Sequence, residues 1–287
     1  MTDRYKMQIA DNILWAKRNI VDSIYKESRL EGIAVTFPQT QEIYEGRSVA
    51  GLSVDDIIKV NNLKHSWQFV FDTLDYPIDL RYIKQLNHEV GNGVVIDAGY
   101  IRNVDVQIGG TTWRPELPSE EAARDQIEEI MNSKTSATEK AVNVMLYIMR
   151  SQLFMDGNKR TAQLAANQIM IANGCGIISV PVEKISEFTE LLVKYYETNK
   201  TDQIKRYIGD YCISGFEGQD RTQETFVRED FVKYVTGQDG GRRSAKHIKI
   251  DPEDMKAPGP RRDPAEEYKP SGENDQIQHP RDQQPEL

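Results

Sequence analysis

Apolar residues recur at helical spacing along most of the first 236 positions, with polar residues collected where helix ends would need them. Between 5 and 28, Ile9, Ile13, Leu14, Ala16, Ile20 and Ile24 mark one face of a helix. The same spacing predicts helices over 52–74, 78–90, 119–131, 138–153, 158–173, 182–198, 201–214 and 224–234. Ser53 followed by Asp55 and Asp56, and Ser119 followed by Glu120 and Glu121, are caps with acidic first turns. The segment 138–153 is the most apolar, with Ala141, Val144, Met145, Ile148 and Met149 on a broad face, and is expected at the centre. Gly174 closes 158–173.

One stretch breaks this period. Over 100–113, Val104, Val106 and Ile108 alternate with Asn103, Asp105 and Gln107, and Gly109-Gly110 supplies a turn. That pattern predicts a β-hairpin, which must pack on the helices because a lone hairpin is marginal in water. The fold class is therefore all-α, a helical bundle with one small β-hairpin.

Composition sets the limits of this picture. From Gly237 onward the chain holds seven of its 12 prolines and almost no large apolar residues, so 237–287 is expected to be a disordered polar tail. The formal net charge of -9 argues against general affinity for nucleic acid or an anionic membrane. Residues 1–20 are dotted with charge, and no apolar run approaches a membrane span. Cys175 and Cys212 read as reduced, small core residues. The expected location is cytoplasmic.

Candidate chemistry concentrates at 152–163, QLFMDGNKRTAQ. Asp156, Gly157 and Asn158 are turn and cap residues, and the following helix starts with free backbone N–H groups that favour an anion. Lys159 and Arg160 in a first helical turn are mildly unfavourable unless an anion lies over them. Asp156 beside that anion suits Mg²⁺, which takes one or two carboxylates together with phosphate oxygens. An ordinary capped turn with two exposed basic residues remains the alternative on these grounds alone.

The wider sequence narrows the choice. Residues 152–163 resemble the signature of the Fic family, His-Pro-Phe-x-Asp-Gly-Asn-Gly-Arg-x-x-Arg. The stretch LEGIAVTFPQTQEIYEG, with Glu31, Gly32, Thr36, Pro38 and Thr40, looks like the family's N-terminal inhibitory segment. GYIRNVDVQIGGTTWRP looks like its hairpin flap. The resemblance implies an all-helical Fic fold divided into 1–50 (N-terminal helix and inhibitory-type segment), 51–236 (Fic domain) and 237–287 (tail). It implies transfer of AMP from Mg²⁺-ATP to a hydroxyl of a target protein. Asp156 would then hold Mg²⁺, and Gly157, Asn158, Lys159, Arg160 and Gln163 would line the nucleotide. Phe154 would anchor the loop, Glu31 would inhibit, and Ile108, Gly109 and Gly110 would pair with the target as a flap. A homodimer is left open.

The motif is degenerate. Gln152 stands where the family has its catalytic histidine, beside Asn158, and an amide cannot accept a proton from a hydroxyl. Losing a general base costs about 10²–10⁴-fold, so reduced or absent activity is expected. Neither His65 nor His88, on the second and third helices, is read as a substitute. Gln163 replaces the second arginine, leaving Glu31 only a hydrogen bond to Gln163 and an autoinhibition that is weaker or differently built. Asn158-Lys159-Arg160 is similar to the Doc branch of kinases. The alternatives are thus a non-catalytic nucleotide- or target-binding module and a Doc-like protein kinase.

Overall fold

A computed structural model describes residues 1–216. The helix expected over 224–234 and the tail over 237–287 lie outside the described residues. The chain forms α1 (Ile9–Arg18), α2 (Ile20–Leu30), α3 (Phe37–Tyr44), α4 (Val54–Asp72), α5 (Leu80–Gly91), α6 (Glu120–Asn132), α7 (Ala137–Ser151), α8 (Asn158–Ala172), α9 (Ile185–Thr198) and α10 (Asp202–Tyr207). Two short strands, β1 (Ile177–Ile178) and β2 (Ile213–Ser214), pair antiparallel, with Ile177 opposite Ser214 and Ile178 opposite Ile213. The class is the one expected: helical, with one small antiparallel ribbon. No described helix is long and apolar enough to cross a membrane.

Most helix starts follow from their caps. The side chains of Ser53, Asp79, Ser119 and Ser136 accept from the backbone N–H groups of Asp56, Tyr82, Ala122 and Glu139. Helix α3, absent from the sequence-based expectation, has a full capping box between Thr36 and Gln39 with Pro38 in its first turn. The single helix expected over 5–28 is broken at Asn19, which leaves the helical region (φ −97°, ψ 10°) and turns its amide onto the Trp15 carbonyl at 2.9 Å. The helix expected over 201–214 is α-helical only through Tyr207; it widens into a π-turn over Ile208–Cys212 and ends as β2.

The hairpin expected over 100–113 does not form. Gly109-Gly110 does make a turn, with Gly110 at φ +81°, but the flanking residues build no ladder. Their carbonyls are met by a side chain instead: Arg102 bonds Val104, Pro115 and Glu116. The fold's ribbon is the distant β1–β2 pair.

Helix α8 is the axis of the molecule and packs on α7, α5, α4 and α1. From Arg160 to Ile171 every residue of α8 is buried, although many are polar. The burial is possible because each amide reads fixed backbone. Asn167 bonds both the N–H and the carbonyl of Ile178 (2.8 and 2.9 Å), and Gln168 bonds the carbonyls of Leu74 and Tyr76 (3.1 and 2.9 Å). Helix α7 supplies the apolar side of the pair, with Ala141, Val144, Met145, Ile148 and Met149 fully buried, as its pattern implied. Cys175 and Cys212 are free, buried thiols; burial pushes them up to about 11 and about 12, which makes them inert.

Candidate active site

The loop between α7 and α8 is held from both sides. Helix α7 ends at Gln152, which takes a left-handed conformation (φ 47°, ψ 60°) uncommon outside glycine. Gln152 Nε2 donates to the Met149 carbonyl at 2.6 Å, and Gln152 Oε1 accepts from Asn158 Nδ2 at 3.1 Å. Asn158 also donates to the Phe154 carbonyl (2.8 Å) and accepts from the Phe154 N–H (3.0 Å). The loop is thus closed on itself through one buried amide, and Phe154 is buried beneath it. Gln152 and Asn158 are brought together by this closure.

Gly157 caps α8 at φ +78°, and the site requires its missing side chain. A Cβ there would lie 2.8 Å from Val90 Cγ1 and 3.2 Å from Asn87 Nδ2. Asn87, on α5, bonds the Asp156 carbonyl (3.0 Å), Thr161 Oγ1 (3.1 Å) and the Gly99 N–H (2.8 Å). It fixes the entry to α8, and nothing in the spacing of the sequence marked it.

Charges converge on that helix start. Lys159 Nζ lies 3.3 Å from Glu31 Oε2 and 3.2 Å from the Leu30 carbonyl. Arg160 Nε lies 3.5 Å from Glu31 Oε1, an ion pair whose geometry falls short of a hydrogen bond, and Arg160 Nη2 lies 3.2 Å from Asp156 Oδ2. Glu31 therefore meets two cations rather than Gln163, correcting the expected contact. A carboxylate only 13 % exposed takes the nearest charge, and Lys159, in the place of a glycine, provides one. Gln163 turns instead toward the Lys159 carbonyl at 3.5 Å, with its own Oε1 buried and unpartnered.

Behind this pair sits Glu27, one turn earlier on α2 and wholly buried. Its oxygens and Trp67 Nε1 make no hydrogen bond of good geometry, yet the indole is near enough to steady the carboxylate. Burial pushes Glu27 up to about 8, against the opposing pull of Trp67 and Arg160, while Glu31 adds to the rise. An acidic residue on a helix ordinarily faces water, so the sequence gave no cue to it.

The loop carrying Ile108, Gly109 and Gly110 arches from Arg102 to Glu116. Ile108 packs against the core, while Gly109 and Gly110 are exposed at the tip. Thr111 Oγ1 donates to Glu197 of α9 at 2.9 Å, and the Arg150 guanidinium stacks 3.9 Å from the centre of the Trp113 ring. Beneath Trp113 opens a cavity of about 530 Å³, lined also by Tyr147, Ser151, Tyr195 and Asn199. Neither histidine enters the site's bonding; His88 Nδ1 is 3.3 Å from the Ala98 carbonyl.

Comparison with known proteins gives a family likeness. A profile described as Fic/DOC family matches residues 77–170, from just before α5 nearly to the end of α8. Around that match, the chain is 28% identical over 207 residues to protein adenylyltransferase fic-1 of Caenorhabditis briggsae, covering 65% of this chain and 41% of that protein. It is 28% identical over 178 residues to protein adenylyltransferase Fic of Drosophila sechellia, covering 59% and 36%. The chain thus spans less than half the length of these relatives. Solved structures share the Fic fold: a Fic-1 fragment from C. elegans (TM-score 0.59, 21% identity, 77% of this chain and 66% of that one) and a Fic domain-containing signaling protein from Bacteroides thetaiotaomicron (TM-score 0.59, 17% identity, 83% and 94%).

Proposed function

We propose that this chain binds Mg²⁺-ATP at the start of α8 and transfers AMP to a hydroxyl of a target protein, slowly, with Glu31 as an internal competitor for the phosphate ligands. The observation that carries this reading is the cation pair at that helix end. Arg160 is 2 % exposed and keeps Nε and Nη1 without a hydrogen bond, a buried donor set suited to phosphate. The relatives named adenylyltransferases favour AMP as the transferred group.

The residues fit such a ligand. Asn158, Lys159 and Arg160 present the free N–H groups of a helix start, the Gly157 N–H being taken by Asp156 Oδ1 at 2.6 Å, and Lys159 and Arg160 add charge. Asp156, half exposed, would hold Mg²⁺ with phosphate oxygens. Bound there, the ion would neutralise charge on the phosphates. The exposed Gly109-Gly110 turn suits main-chain pairing with an extended target segment.

What position 152 lacks is a proton acceptor. A hydroxyl that takes AMP, with release of pyrophosphate, loses its proton, and the Gln152 amide cannot receive it. The side chain is besides engaged at both ends, on Met149 and Asn158. This favours, as the second reading, a module that binds nucleotide without turnover.

The test uses the full chain and its Gln152→His variant, each with a protein extract and ATP labelled in the α or the γ phosphate. Protein labelled from the α position, rising in the variant, supports AMP transfer. Label from the γ position supports a Doc-like kinase. No label from either, with Mg²⁺-ATP still raising the melting temperature, supports the binding module.

A further inference from the structure

Arg102 is the most heavily bonded side chain near the site. It is 3 % exposed. Its Nε donates to the Gln152 carbonyl at 2.6 Å, Nη1 to Val104 at 2.7 Å, and Nη2 to Glu116 at 2.6 Å and Pro115 at 3.4 Å. Its own backbone N–H donates to the Leu153 carbonyl at 2.9 Å. One planar group therefore holds both feet of the 104–116 loop and the left-handed residue at the end of α7. Burial lowers its pKa, with Asp105 opposing the fall, but a guanidinium stays charged throughout.

The loop's other contacts lie further along: Thr111 on Glu197, and Trp113 under Arg150. Between Val104 and Gly110 no ladder bond fixes the chain. Arg102 ties the base of the loop to the end of α7, while Ile108, Thr111 and Trp113 hold it further along.

We propose that Arg102 is a positioning residue that makes the 104–116 loop and the Gln152 backbone one unit, so that it fixes the register of an acceptor segment against the reacting position. The acceptor part of this rests on the function proposed above; the clamp itself does not. A lysine keeps the charge but is a single-point donor and cannot span four carbonyls in one plane.

Arg102→Lys is therefore compared with the parent chain by hydrogen exchange and by Mg²⁺-ATP titration, and again in a Gln152→His background by labelled-ATP transfer to one fixed acceptor. Exchange over 103–116 and at 152–153 is expected to quicken about tenfold or more, with 158–172 unchanged. The nucleotide dissociation constant is expected to stay within about twofold while the acceptor KM rises about tenfold. Unchanged exchange over 103–116 overturns the clamp. Faster exchange over 158–172 together with lost nucleotide binding also overturns it, because Arg102 would then be general support. If the Arg102-intact Gln152→His protein transfers nothing, the proposed function fails, while quickened exchange confined to the loop still supports the clamp.

Discussion

Glu31 and Lys159 face each other at 3.3 Å across the start of α8, joining the end of α2 to the helix turn that would receive phosphate. The same carboxylate leans on Arg160. An arriving phosphate and Glu31 need the same two cations, and they cannot both have them.

Replacing Glu31 by Gly should therefore tighten Mg²⁺-ATP binding by about tenfold, the factor that corresponds to about 1.4 kcal/mol for displacing a partly buried carboxylate from two cations. Isothermal titration of the variant and the parent measures it. A dissociation constant within about twofold of the parent would mean that Glu31 does not compete.

Glu27 predicts a pH effect on stability. In the folded chain its carboxyl holds a proton up to about 8, whereas unfolded it would ionise near 4.5. Between those values the folded state binds more protons than the unfolded one, so stability is fullest below the lower value and falls as pH rises toward the upper. The slope approaches about 1.4 kcal/mol per pH unit. Glu27→Gln should remove that slope and leave the variant the more stable form at pH 7.5 but not at pH 4. Urea midpoints at the two pH values check it; parallel curves would refute it.

Gly157→Ala should fail for two separable reasons, the left-handed backbone and the 2.8 Å approach to Val90. The expected cost is about 1–3 kcal/mol of folding free energy, with loss of nucleotide binding. Chemical denaturation reads the first and calorimetry the second.

Asn87→Ala leaves the Asp156 carbonyl, the Gly99 N–H and the Thr161 hydroxyl without their partner. A loss on the order of 1–3 kcal/mol is expected. Because the entry to α8 loosens, nucleotide affinity should fall although Asn87 carries no charge. Stability without any change in affinity would place Asn87 outside the site.

The helices were legible where a cap and an apolar face agreed. Ser53 and Ser119 mark starts that the structure keeps, and α8 begins at Asn158 as its turn residues implied. Asn19 was not legible, because the apolar spacing continues across it and only the backbone breaks. Val104, Val106 and Ile108 misled for a related reason: alternation reports an extended chain, not a partner strand, and here the partner is the Arg102 side chain. In the site, 152–163 was legible because its chemistry is local. Arg102, Asn87 and Glu27 were not, since each acts through residues far away in the sequence and has no spacing to betray it. The pairing of Glu31 with Lys159 had a visible cause, a lysine where the resembling family has glycine, but only the three-dimensional approach of α2 to α8 showed its effect.

The amides of Asn167 and Gln168 hold α8 to its surroundings without any net charge. Simple salt, which screens a partly buried ion pair such as Glu31 with Lys159 only in part, has still less purchase on such neutral bonds. Ionic strength thus becomes a dial that reaches the gate and spares the frame: a rise in salt should loosen the carboxylate's hold while the helix behind it keeps its place.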